Sequence, residues 1–236
     1  LPFFSIAAQS SPTIDTNTIY KQSRHVRKKF CKHPSVLAAK LTKELEDDAS
    51  KVLAISYWIT KNIKYDYAAY LSNSLNRHTN AQVLRRRIAL CSEYASLFNE
   101  MCESVGIKSE IISGYVHEFD FFSGDTLYRA EHAWSIVKLN NEWQLTDITW
   151  ANGGVKVKKK PIRWLLWKVF QIPYLRELSY SEKLTNFKWL TPDPMFFVTS
   201  HLPILNEFQL LSPAVPIDSF TIGGSAVFNF FTEKKV

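Results

Sequence analysis

The stretch His132-Ala133-Trp134-Ser135-Ile136-Val137-Lys138-Leu139-Asn140-Asn141-Glu142-Trp143-Gln144-Leu145-Thr146-Asp147-Ile148-Thr149-Trp150 reads as two β-strands joined by a tight turn. Asn-Asn tolerates the positive backbone φ that a two-residue hairpin demands, and alternating apolar residues flank it on both sides. The strands are expected over His132–Leu139 and Glu142–Thr149. A turn centred on Asn140-Asn141 sets the register: Leu139 faces Glu142, Val137 faces Gln144 and Trp134 faces Asp147. His132 lies two residues before Trp134, so its side chain leaves the sheet on the same face as that of Asp147. The two form a diagonal neighbour pair, with backbones roughly 7–8 Å apart and side chains within reach. A register slip of one residue would put them on opposite faces. An aspartate so placed accepts a hydrogen bond from one imidazole nitrogen, fixes the tautomer and leaves the other nitrogen free.

A partner for that free nitrogen lies upstream, in Leu90-Cys91-Ser92-Glu93-Tyr94-Ala95. Apolar spacing predicts a helix from about Ser92 to Val105, ended by Gly106. Cys91 then sits at the helix start, where unpaired backbone N–H groups and the positive end of the dipole favour a thiolate. The same amides suit a developing oxyanion. Cys102 is a control, eleven residues on along the same helical face. At 1.5 Å per residue it is about 16 Å away, beyond disulfide reach, and should be an inert core thiol. Cys31 lies in a basic stretch with nothing to orient a base toward it. Taken singly, Cys91, His132 and Asp147 each have an ordinary structural explanation: a buried thiol, a sheet histidine, a strand-end cap. Together they point to a nucleophile, a base and an orienting carboxylate.

Organisation elsewhere supports an α+β fold, with N-terminal helices packed on an antiparallel β-sheet. Val52, Ile55, Ile59 and Ile63 recur at helical spacing behind Asp47-Asp48, which suit a helix start. Tyr65 to Thr79 is polar and reads as a long surface loop, Ser109 to Val116 as a strand, and Lys160 to Phe170 as a helix. Residues 1–18 are rich in Ser, Thr and Pro and read as a tail; the opening LPFFSIAAQS resembles the end of a secretory signal, so a secreted, periplasmic or cell-surface bacterial protein is expected. The main domain is expected over 19–215, with 216–236, including Gly223-Gly224, as the possible start of a further β element.

The net charge of +7 raises nucleic acid or a membrane as partners. It is concentrated at Arg24–His33 and at Lys156–Lys168, where lysines surround Trp164 and Trp167. Charge runs of this kind are usually solvated loops and helix faces, so no nucleic-acid partner is expected; contact with an anionic membrane or glycan surface through Lys156–Lys168 is the alternative. No run approaches the roughly 18 apolar residues of a membrane-spanning helix. Three cysteines are too few for a disulfide scaffold.

From Ala54 to about Gly154 the chain resembles the transglutaminase-like superfamily. The resemblance lies in Trp58-Ile59, Asn62-Ile63, Tyr65-Asp66, Cys91-Ser92-Glu93-Tyr94-Ala95, Gly106-Ile107, Gly114-Tyr115, His132-Ala133-Trp134 and Asp147-Ile148-Thr149-Trp150, in that order. Asp193-Pro194 through His201-Leu202-Pro203 to Gln209-Leu210-Leu211 is similar to the continuation in kyphoscoliosis-peptidase-like members, and His201 is read as a structural turn residue, with a place lining the cleft as the alternative. The resemblance implies a papain-like fold and a Cys91, His132, Asp147 catalytic triad. It also implies acyl transfer through a thioester, a protein or peptide substrate, and no metal or organic cofactor. Where the family usually has glycine shortly before the cysteine, this chain has Ala89-Leu90. Amide hydrolysis is the leading expectation. The alternatives are protein cross-linking by transfer to an amine, release of glycan from asparagine, and a non-catalytic binding module on the same fold.

Overall fold

The structure, a computed structural model, describes residues 19–21, 23, 26, 30–72, 77–117, 130–153, 155–157, 178–180 and 186–222. The expectations for the 1–18 tail, the Lys160–Phe170 helix, most of Lys156–Lys168 and the stretch after Ile222 lie outside them. Among the described residues no helix is long and apolar enough to cross a membrane.

Helices come first, at Pro34–Thr42 and Asp48–Asn62. The second starts where Asp47 caps it, its carboxylate accepting the Ser50 amide at 2.7 Å, which relieves one of the unpaired donors of the first turn. Strands β1 (Lys64–Tyr65) and β2 (Ile88–Ala89) pair in parallel. Between them, the expected Tyr65 to Thr79 loop contains a helix at Tyr67–Leu71, capped by Asp66, and is followed by another at Asn80–Arg86, capped by Thr79 and Gln82. Next comes the Cys91–Glu103 helix, which ends before Gly106 at φ +83°, a left-handed conformation that suits glycine.

The sheet follows: β3 (Ser109–Val116), β4 (His132–Leu139) and β5 (Glu142–Thr146). The expected hairpin is present, with Asn140 and Asn141 both at positive φ and the register Leu139 to Glu142 and Val137 to Gln144. β5 is shorter than expected: it ends at Thr146, and Asp147 caps a short helix at Ile148–Ala151. Strands β6 (Val155–Val157) and β7 (Leu178–Tyr180) form a separate pair. β8 (His201–Pro203) completes the main sheet, whose order is β5-β4-β3-β8, antiparallel throughout. At the end of the described chain, Ile217–Ile222 is helical; the expected β element after Gly223-Gly224 lies outside the described residues.

Alternation along β4 divides two cores. Val137 and Leu139 pack with Leu97, Phe98, Met101 and Cys102 of the Cys91–Glu103 helix and with Ile55, Trp58 and Ile59 of the Asp48–Asn62 helix. Trp134 and Ile136 face the other way, onto Leu145, Trp189 and Phe197. A buried node ties the helical side to the end of the hairpin: the Tyr94 hydroxyl donates to the Ile63 carbonyl at 2.8 Å. The Asn152 amide reaches the same carbonyl at 3.1 Å and the Tyr94 hydroxyl as well. Gly114 in β3 is where β8 comes closest. A side chain there would run into the Leu202 carbonyl, the Trp134 indole and the Pro203 backbone.

Overpacking of that kind costs about 2 kcal/mol. Gly114→Ala should therefore lower the urea midpoint by the corresponding amount without changing the slope, in a denaturation series followed by circular dichroism.

Candidate active site

Asp147 stands at the end of β5, where the chain turns into the Ile148–Ala151 helix. Its two carboxylate oxygens do different work. Oδ1 accepts the Trp150 backbone amide at 2.9 Å, the helix-capping role that an aspartate takes naturally at such a position. Oδ2 accepts from Nε2 of His132 at 2.6 Å. The hairpin register therefore brings together the diagonal pair expected from it. Oδ2 also lies 3.1 Å from Nε2 of His201. Asp147 and His201 are 0% exposed and His132 is 7% exposed.

With Nε2 held by Asp147, the remaining nitrogen of His132, Nδ1, is the one left for Cys91. The His132 ring and the Ala133 amide lie near enough to the sulfur to act on it electrostatically. The Glu131 carbonyl lies 3.9 Å from the sulfur. Cys91 is the first residue of its helix, as expected within one position, and is half-buried. Cys102 and Cys31 are buried; burial pushes the Cys102 thiol well above its ordinary value. The structure thus brings His132 and Asp147 into contact, places the Cys91 sulfur beside the Glu131 carbonyl next to them, and leaves the other thiols in the core.

Charge follows from these contacts. Burial works against a thiolate at Cys91, but the hydrogen bond and charge of His132, with the Ala133 amide, outweigh it and lower the thiol pKa. Burial also works against a charged His132; the Asp147 carboxylate overrides it by charge and hydrogen bonding and raises the ring to about 10. Asp147 itself would be raised by burial, yet the two histidines hold it far below the usual carboxylate range. For His201 burial wins, and the ring falls to about 4, despite the carboxylate beside it. One carboxylate therefore faces one charged ring and one neutral ring, the expected outcome when two bases compete for a single counter-charge.

His201 corrects the reading of a turn residue. It lies in β8, and its ring is packed by Phe197, stacked at 4.1 Å between centroids, and by Trp150 at 4.4 Å and Trp134 at 5.3 Å, both edge-on. Nothing local to His201-Leu202-Pro203 signals this, because its partner is on another strand. A second contributor is Glu93. Its buried carboxylate accepts the Leu90 amide at 2.7 Å through Oε2, and through Oε1 the His78 amide at 2.7 Å, with the His78 ring at 2.9 Å. This anchors the backbone just before the thiol. Glutamate three residues into a helix is a recognisable capping signal, so this contact was legible in Leu90-Cys91-Ser92-Glu93. At the departure from the family pattern, Ala89 is buried and its carbonyl accepts the Asp66 amide at 2.9 Å.

Among the described residues, His132, Asp147 and His201 also form a group whose ligand atoms lie within 4.8 Å of one another. Their arrangement is that of hydrogen bonds. Both ring nitrogens lie within hydrogen-bond distance of Oδ2, at 2.6 and 3.1 Å, and a proton on each ring satisfies it.

The description "transglutaminase-like superfamily" matches residues 35–148. The chain is 30% identical over 185 residues to the kyphoscoliosis peptidase of Homo sapiens, covering 78% of this chain and 25% of that protein. The Mus musculus protein of the same name is 29% identical with the same coverage. The chain thus spans about a quarter of the length of these relatives. A solved structure described as a TGase aligns with a TM-score of 0.41 at 14% identity, over 74% of this chain and 42% of that one. That superposition is partial, and the assignment rests on sequence. Through residues 35–148, with kyphoscoliosis-peptidase-like sequence around them, this chain belongs to the transglutaminase-like superfamily.

Proposed function

We propose that the chain is a cysteine-dependent hydrolase of amide bonds in proteins or peptides, working through a thioester at Cys91. The observation that carries this reading is the buried His132–Asp147 pair, Nε2 on Oδ2 at 2.6 Å, whose ring acts on the half-buried Cys91 thiol and lowers its pKa. In the resting site the proton of the thiol resides on His132, giving a thiolate–imidazolium pair. The sulfur attacks the carbonyl carbon, forming an S–C bond while the carbonyl π electrons move onto oxygen. The unpaired amide at the helix start stabilises that oxyanion. Collapse breaks the C–N bond, and His132 gives its proton to the departing amine. Water, deprotonated by the now neutral ring, then cleaves the thioester to release the acid and regenerate the thiol. Asp147 stays ionised throughout and holds the ring's orientation. An amine in place of water would give cross-linking from the same intermediate, so product analysis with a glutamine-donor peptide and a labelled amine separates the two reactions.

Activation of the thiol is directly measurable. At pH 6 iodoacetamide should alkylate Cys91 about tenfold faster than it alkylates a free cysteine peptide. Equal rates would remove the basis for a nucleophile. Cys91→Ala should abolish peptide cleavage while leaving the melting temperature within about 3 °C of wild type, since a half-buried thiol at a helix start contributes little packing.

Asp147→Asn should lower kcat by about a hundredfold or more. An asparagine offers one oxygen, which can serve either the Trp150 amide or the ring donors but not both, and its amide group would face an N–H. Kinetics on the purified, folded variant check this.

The pH dependence has a definite sign. Activity requires an ionised sulfur and a protonated ring, so kcat/KM should rise on an acid limb below the ordinary thiol value of about 8.5. It should fall on an alkaline limb near about 10, as His132 loses its proton.

A further inference from the structure

We propose that His201 is a positioning residue: a permanently neutral second imidazole whose Nε2–H, locked in that tautomer by the Ser200 hydroxyl, holds the Asp147 carboxylate in line with His132. The inference rests on the proposed thiolate–imidazolium chemistry of Cys91 and His132 and extends it by two residues.

The tautomer follows from the contacts. Nε2 of His201 faces an ionised carboxylate oxygen at 3.1 Å, so a neutral ring must carry its proton there and accept at Nδ1. Nδ1 lies 2.8 Å from the Ser200 hydroxyl oxygen, which must therefore donate to it. The alternative acceptor for that hydroxyl, the Phe197 carbonyl, is at 3.4 Å, a longer and weaker contact. The array therefore runs from Ser200 O–H to His201, to Asp147, to His132 and to Cys91.

Neutrality is built in by the surroundings. The aromatic rings of Trp134, Trp150, Trp189 and Phe197 pack around His201. The titratable groups that act on it are Asp147, His132 and, from the end of β3, His117. Of these only Asp147 favours a charge on the ring. His132, 5.6 Å away between centroids, already holds the positive charge. A neutral donor is the group that can fix Oδ2 without competing for the carboxylate's charge. Without it, Oδ2 has only one partner, and the carboxylate can pivot about Oδ1, which Trp150 holds.

The test measures Cys91 alkylation by iodoacetamide against pH, read by mass spectrometry, in wild type, His201→Leu, His201→Gln and Ser200→Ala. Wild type should show a low inflection where the ion pair forms and a high one where His132 titrates. Removing the donor with His201→Leu should move these toward each other, with the low inflection rising by about one pH unit or more. His201→Gln, whose amide can place an N–H near the Nε2 position, should restore both inflections to near wild type. Ser200→Ala, at a half-buried site that carries no core packing, should shift them in the same direction as leucine but less.

Unchanged inflections in His201→Leu overturn the proposal, as does glutamine behaving like leucine. If the leucine variant fails to fold, Ser200→Ala decides: a shift supports the tautomer lock, and an unshifted profile overturns it. Absence of any low inflection in wild type would instead remove the hydrolase reading, so the two failures are distinguishable.

Discussion

The buried carboxylate of Asp147 organises the site. Asp147 has no exposure to water, and an isolated carboxylate in such a place would cost several kcal/mol or would take up a proton. It stays ionised because donors from separate parts of the chain converge on it: the Trp150 amide on Oδ1, His132 and His201 on Oδ2. Those donors belong to the turn after β5, to β4 and to β8. Satisfying the carboxylate is therefore the same act as closing one end of the sheet around it.

The unequal treatment of the two histidines follows from that constraint. A carboxylate can neutralise one imidazolium, and a second would be buried beside the first with no counter-charge. His132 takes the proton because it has the shorter contact to Asp147 and a developing thiolate on its other side. His201 is enclosed by aromatic rings and has only a serine hydroxyl beyond it. Local contacts at the helix start complete the arrangement: Glu93 ties down the Leu90 amide, and the Ala133 amide favours charge on the sulfur. The sulfur is thus placed by its helix and charged by its neighbours on β4.

Several elements of this arrangement are visible before any tertiary structure is considered. Asn140-Asn141 set the hairpin register, and the register put His132 and Asp147 on one face. Asp47 and Gly106 bounded helices as capping chemistry requires. Short elements escaped, each for a local reason. The Tyr67–Leu71 helix is too brief to show a periodicity and is held by the Asp66 carboxylate on the Ala69 amide at 3.0 Å. β5 stopped early because Asp147 turned its carboxylate onto the Trp150 amide, ending the strand by starting a helix.

What the sequence by itself determined were relations within an element or across one tight turn, since side-chain alternation and capping act over a few residues. The placement of Cys91 at a helix start and the His132–Asp147 pair are of this kind. Only the tertiary structure decided which elements meet. His201 is 54 residues from Asp147, and the Cys91 sulfur meets the Glu131 carbonyl across 40 residues of chain. No periodicity carries across such separations. Those contacts arise because the Cys91–Glu103 helix must bury its apolar face on β4, while β8 pairs along β3 at a place where Gly114 leaves no room for a side chain.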